Sequence, residues 1–290
     1  MLYFKGETPI ICNRRELLYR VIAFMIRFLK RFILQRGLIY HMVRREIISR
    51  YRGSMLGLLW SLIQPLLMLA IYSFVFGHVM KSRWPQPGGD VPGMFSLILF
   101  CGLLFHTLLS ECLIRAPQLV VGQVNFVKKV VFPLEVLPMV MVSSALFHFT
   151  IGLGVLLAAK LLLTGTLLWT TLLLPLVILP FLLVCLGAGW LLAALGVYVR
   201  DISHLIGLFT TVLLFFSPVL YPLEMLPAGL RPWMLLNPLS WPVETARDLL
   251  LTGHLPSLTR LGAYYIASVF AAAGGGIFFQ KTRKGFADVL

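Results

Sequence analysis

Charge is what this chain has least of. Only 12% of its 290 residues are Asp, Glu, Lys or Arg, against about 25% in a soluble domain. The polar wrapping of a water-soluble enzyme is missing. A disordered scaffold is excluded too, because 59% of the residues are hydrophobic and the mean hydropathy is +0.91. Acidic residues are scarcer still, 11 against 25 Lys plus Arg. On a soluble surface such an excess points to nucleic acid. On a chain this apolar it marks the cytoplasmic side of a membrane protein, and no nucleic-acid partner is expected. The four cysteines (Cys12, Cys101, Cys112, Cys185) form no CxxC pair. That argues against a zinc site or a disulfide framework and for small apolar filler.

Catalytic signatures are also missing. There is no HExxH, no DxD-type cluster and no Ser/His/Asp arrangement, so no catalytic or metal-binding residue is nominated. The nearest P-loop imitation, Gly275 to Thr282, lacks the second glycine before Lys281 and sits at the end of an apolar run. It fails both the sequence and the context test. No cofactor is expected on this chain, and if transport is driven by ATP the ATPase is another chain. A proton-coupled carrier would be expected to place a carboxylate near mid-membrane, and no predicted span places one there, since Glu111 and Glu135 lie at span ends. His106 and His148 do lie inside spans, where interhelical hydrogen bonding is the default. Glu111 and Arg115, four residues apart, read as a helix-end ion pair.

A helix needs about 20 predominantly apolar residues to cross the hydrocarbon core. The uncharged runs predict an all-α membrane protein with six transmembrane helices, at about 54–80, 92–113, 134–163, 168–198, 203–222 and 260–281. Nineteen of the 25 basic residues then fall on one side. Twelve of these lie in residues 1–52, and the others are Arg115, Lys128, Lys129, Arg200, Lys281, Arg283 and Lys284. Lys81, Arg83, Lys160, Arg231, Arg247 and Arg260 fall on the other. The positive-inside rule puts both termini in the cytoplasm.

Residues 1–52 form a separate region of amphipathic interface helices ahead of the transmembrane domain 53–290. From about Arg15 to Leu34, Arg20, Arg27, Lys30 and Arg31 share one half of a helix, and Leu17, Val21, Met25, Phe28 and Phe32 share the other. Such a helix lies on anionic cytoplasmic lipid. A second basic segment, His41–Arg52, leads into the first span. Beyond span five, six of the 17 prolines crowd into residues 217–242. Proline removes donors and breaks helices, so one long helix is excluded over about 218–250. Two readings stay open: short re-entrant or interfacial helices on the outer side, or a plain outer loop with Trp anchors. Glu224, Glu244, Arg247 and Asp248 are expected to be mostly water-accessible in both. In span one Trp60, Gln64, Met68, Tyr72 and Phe76 recur every four residues beside Ser61. This stripe is either a path for sugars, to which aromatic rings offer apolar faces with polar tips, or a helix-packing seam. Thr210, Thr211, Phe215 and Phe216 in span five are further candidates.

Arg44 to Ser54, with Leu56-Gly57, Trp60 and Pro65-Leu66, resembles the opening of ABC-2-type polysaccharide-export permeases, the Wzm and TagG group. Asn125 to Pro138 is similar to their cytoplasmic coupling segment. Arg200-Asp201, Ser217-Pro218-Val219 with Tyr221-Pro222, and Asn237-Pro238-Leu239 with Glu244 and Arg247 continue the pattern in order. The likeness runs from about residue 40 to the end; the first 35 residues have no clear counterpart, and membrane anchoring or extra ATPase contact is suggested for them. KpsM-like capsule exporters are a related branch. The resemblance implies a bacterial inner-membrane subunit that pairs with a second copy of itself and two ABC ATPase subunits (Wzt/TagH-like). ATP and Mg would be bound by those partners. Its implied cargo is an undecaprenyl-diphosphate-linked polysaccharide of O-antigen type; capsular polysaccharide, teichoic acid or a small hydrophobic drug are alternatives, and a membrane enzyme on a polyprenyl-linked substrate is another. Membrane lipids are the remaining partner. Carried over residue by residue, it implies ATPase coupling through Arg44, Arg45, Arg50, Arg52, Asn125, Lys128, Lys129, Glu135, Arg200 and Asp201. The channel path would comprise Trp60, Gln64, Tyr72, Phe76, Thr210, Phe215, Phe216 and Tyr221.

Overall fold

The computed structural model describes residues 28, 30, 32–80, 93–124, 128, 132–225, 227, 229 and 231–290. The described residues are helical or irregular, with no strand among them. Most of the amphipathic segment predicted at 15–34 lies outside them, as do Asn125 and Lys129. Among the described residues, five helices are long and apolar enough to cross a membrane: α2 Gly57–Val79, α3 Met94–Arg115, α5 Val136–Thr164, α6 Trp169–Tyr198 and, through its C-terminal extension, Leu258–Val289. Four of these match their expected ranges to within about three residues at each end. The last extends past 281 because Arg283–Gly285 and Phe286–Val289 add short helical turns.

Before them, α1 (Arg36–Tyr51) turns into α2 through Gly53 and Gly57, whose φ values of 87° and 50° are left-handed. Glycine alone enters that region cheaply. After α3 the described residues form the single-turn helix α4 (Gln118–Val121). The helix expected at 203–222 is shorter than predicted: α7 runs Ile202–Phe215. Its 14 residues rise about 21 Å, against about 30 Å of hydrocarbon. Pro218 explains the early stop, because a residue before proline is pushed out of the helical region. The proline-rich stretch forms the short helices α8 (Arg231–Leu235) and α9 (Ser240–Arg247), and α10 (Leu258–Thr282) closes the fold.

The core is a bundle of α3, α5, α6 and α10, with Phe105, Phe181, Met141 and Trp190 almost wholly buried. Phe28 meets Trp190 edge-on at 5.5 Å between ring centres. Helices α6 and α10 touch backbone to backbone. A Cβ on Gly275 would overlap the Gly187 carbonyl, and one on Gly187 would overlap Ala271. Without a hydrophobic drive between helices in lipid, small residues that let backbones touch hold such pairs together. Gly275 of the false P-loop is therefore a packing residue. Cys101, Cys112 and Cys185 are buried.

Candidate functional site

The helix ends gather at two poles. One pole is basic. There α1 is tied to the C-terminal end of α3 by four alternating charges: Arg50 pairs with Glu111, Glu111 with Arg115 at 2.9 Å, and Arg115 with Glu46. Only the i,i+4 member of this chain was readable in advance. Tyr51, at the end of α1, brings its hydroxyl within 3.3 Å of His148 Nδ1 on α5. Burial holds the Tyr51 phenol above its ordinary pKa, so it stays protonated. At the same pole, Gln118 Nε2 of α4 donates to Ser203 Oγ at the start of α7 (3.1 Å). Arg283, just past α10, pairs with Glu135 at 2.8 Å, and Trp190 Nε1 donates to the Glu135 carbonyl.

The coupling candidates divide on this geometry. Arg44, Arg45, Arg52, Lys128, Arg200 and Asp201 are exposed. Arg50 is exposed but ion-paired, and Glu135 is buried against Arg283. The Gln118–Ser203 bond brings α4 beside the Arg200-Asp201 corner.

The opposite pole is held by buried cations. Arg247 on α9 is only 7% exposed, which corrects the expectation that it faces water. Its guanidinium donates to three carbonyls: Ile98 of α3 at 3.1 Å, Val219 at 2.7 Å, and Pro218. The reason is local. The chain after α7 leaves the helix at a proline, so its carbonyls lack helical donors, and an arginine carries five N–H groups in a fixed fork. Asp248 is exposed as expected. Lys160 of α5 is also buried and donates to the Leu250 carbonyl, while Thr170 reaches Leu249 O at 2.6 Å. Tyr221 and Asn237 satisfy the carbonyls that end α7, at Phe215 and Phe216 respectively. Asn237 Oδ1 then accepts from Leu239 N at 2.9 Å, closing a turn on Pro238. Sequence reasoning listed Tyr221 as a path residue; the structure gives its hydroxyl a capping bond.

Between the poles, the path candidates separate. Gln64, Met68 and Tyr72 line an intra-chain cavity between α2, α3 and α5. Trp60 at one end of the stripe is 42% exposed, and Phe76 at the other packs on Phe95 at 5.4 Å. On α7, Thr210 is buried and its carbonyl lies 3.0 Å from His106 Nε2, with Ser110 Oγ 3.2 Å from the same nitrogen. Phe215 and Phe216 are 57% and 64% exposed. His106 and His148 thus both make interhelical bonds, the default expected for them.

A family model described as "ABC-2 type transporter" matches residues 37–251. That stretch takes in α1, the ion-pair chain, α4, α7 and the Arg247 clasp. The chain belongs to the ABC-2 type transporter family. Among curated relatives of this ABC-2 chain is the O-antigen export system permease protein RfbA of Myxococcus xanthus, 30% identical over 92% of this chain and 100% of that protein. A protein of the same description from Klebsiella pneumoniae is 25% identical over 85% of this chain and 92% of its own length. The polysialic acid transport protein KpsM of Escherichia coli is 26% identical over 87% and 96%. The family expectation drawn from the sequence is therefore correct, and the multi-pass helical architecture agrees with it. What sequence reasoning missed in this ABC-2 chain are the long-range partners: Glu46 for Arg115, Arg283 for Glu135, and three carbonyls for Arg247. An acidic residue amid the arginines of α1 was the one available signal for the first of these.

Proposed function

We propose that this chain is the membrane subunit of an ATP-driven exporter that moves an undecaprenyl-diphosphate-linked polysaccharide across the cytoplasmic membrane. Two copies form the channel, and separate ABC ATPase subunits bind ATP and Mg. The observation that carries the reading is the similarity, over 85–92% of this chain, to two O-antigen export permeases and KpsM. The geometry is compatible in a specific way. Helix α2 is apolar over 23 residues, yet only 6% of its most hydrophobic window is buried within one chain. A two-fold copy would cover such a face and supply the second wall of a channel, as closed symmetric oligomers do. Exposed Trp60, Phe215 and Phe216 would then line the aromatic path.

Six crossings with both termini cytoplasmic belong to the same reading. Ser203 lies beside Gln118 just past the end of α3, and Val219 shares the Arg247 clasp with Ile98 near the start of α3. Residues 203–219 therefore run alongside α3 for most of its length, which supports a sixth crossing completed by non-helical backbone packed on protein, as such backbone must be. Arginine-rich α1, α4 and the Arg200-Asp201 corner form the cytoplasmic docking surface, and α8 and α9 the outer re-entrant segment.

The test is reconstitution of the chain with its partner ATPase in vesicles and a defined lipid-linked oligosaccharide. ATP-dependent movement of the glycan is expected, and none without the ATPase. Glycan transfer without ATP, or transport of hydrophobic dyes but no glycan, overturns the reading.

A further inference from the structure

The cavity between α2, α3 and α5 has a volume of about 370 Å³, within the range of small-molecule sites. Its lining also takes in Arg50 and Tyr51 at the end of α1. Its lining changes along its length. Arg50, Tyr51, Glu111 and His148 stand at the basic pole, followed by Ser61, Gln64 and Thr107. Met68, Tyr72, Phe100, Leu104 and Phe149 line the far end. From Ser61 to Tyr72 the helical rise makes this gradient about 16 Å deep.

We propose that this cavity binds one acyl chain of an anionic bilayer phospholipid, with the lipid phosphate at Arg50. Three observations meet here. The polar-to-apolar gradient runs in the sense an amphiphile requires, with hydrogen-bonding groups at the membrane-surface end and hydrocarbon walls within. Arg50 directs one Nη to Glu111 and keeps 38% of its side chain exposed, leaving donors of its five for a phosphate oxygen. Around it α1 and the turn after it carry Arg36, Arg44, Arg45 and Arg52 against the single acid Glu46, and such basic clusters attract anionic headgroups. The third is position: the cavity lies between α2, α3 and α5, three helices long and apolar enough to cross a membrane. A volume of about 370 Å³ accommodates one acyl chain. The inference goes beyond the export reading and needs only that α2, α3 and α5 lie in a bilayer. A bound chain would wedge between α2 and the α3–α5 pair and hold α2 at a set distance from the ion-paired end of α1.

The experiment is photo-crosslinking of the full-length protein in nanodiscs with phosphatidylglycerol carrying a diazirine in one acyl chain, followed by peptide mapping. Adducts are expected at Met68, Tyr72, Phe100 or Leu104. The Leu104→Trp variant, which fills the cavity, should abolish them. The Arg50→Gln/Glu111→Gln pair removes the phosphate contact while keeping local charge balanced, and should lower labelling about tenfold, the loss of one charge-assisted hydrogen bond. Mapping on the wild-type chain decides the matter even where a variant does not fold. Adducts confined to outward residues such as Leu58 and Leu205 overturn the proposal. Equal labelling of the cavity by a diazirine diacylglycerol overturns the anionic part. Displacement of the adducts by a polyprenyl diphosphate, with none by excess unlabelled phosphatidylglycerol, overturns the assignment to a bilayer lipid.

Discussion

Replacing Arg247 by Met keeps much of the aliphatic volume and removes the donors that hold three chain segments together. The Ile98 carbonyl lies within α3 and retains its helical environment, so the loss falls mainly on Pro218 and Val219. A buried acceptor left without a donor costs about 1–3 kcal/mol, which puts the expected destabilisation near 4 kcal/mol for the two. For a chain of this size about 1 kcal/mol corresponds to 2–4 °C in Tm, so the shift is on the order of 10 °C. The assay is thermal unfolding of the purified protein in one detergent, beside Arg260→Met, an exposed arginine on α10 whose loss should stay within about 0.5 kcal/mol. Lysine at 247 is expected to recover only part of the loss, since a point ammonium cannot span three carbonyls as a planar fork can. Gly102→Ala attacks the same clasp from the other side, because its Cβ would sit 2.6 Å from Arg247 Nη2 and 3.2 Å from the Val219 Cα. If Arg247→Met melts within about 3 °C of wild type, the clasp is not what holds the outer segment.

Gly275→Ala should cost more than the about 1–3 kcal/mol of ordinary overpacking, because its methyl meets backbone of Gly187 rather than a movable side chain; loss of monodisperse protein on size exclusion checks it, with Gly274→Ala, which meets open space, as control. Arg115→Glu should weaken the α1–α3 tie, and adding Glu46→Arg should restore part of it, with a coupling of about 1 kcal/mol in a double-mutant cycle; strictly additive effects would remove the ion pair from the account. Arg200→Ala and Asp201→Ala, on an exposed corner, should leave the protein in the membrane and its partner's ATP hydrolysis active while export falls. Wild-type export in both would remove that corner from the coupling surface.

Patterns with a short range were legible in the residues. Uninterrupted apolar runs located four helices to within about three residues at each end, because a membrane-spanning helix satisfies its own backbone and needs only length and hydrophobicity. Ion-pair spacing identified Glu111–Arg115, and the family signature from Arg44 to Arg247 survived as a linear order. The fifth run misled because apolarity continues past Phe215 while the backbone does not: Pro218 ends the helix, and hydropathy does not register a missing donor.

What tertiary structure alone decided is which polar groups meet. Arg247 reads as a solvated charge beside Glu244 and Asp248, yet the fold carries it to carbonyls 28 to 149 residues away. Gln64 and Tyr72 belong to a stripe whose spacing is equally good for a channel wall or a seam, and only the placement of α3 and α5 made them walls of a cavity. The physical reason is common to all of these. Hydrophobic burial is non-directional and is summed along the sequence, whereas a hydrogen bond or ion pair depends on two positions at once, and the second is set by the fold.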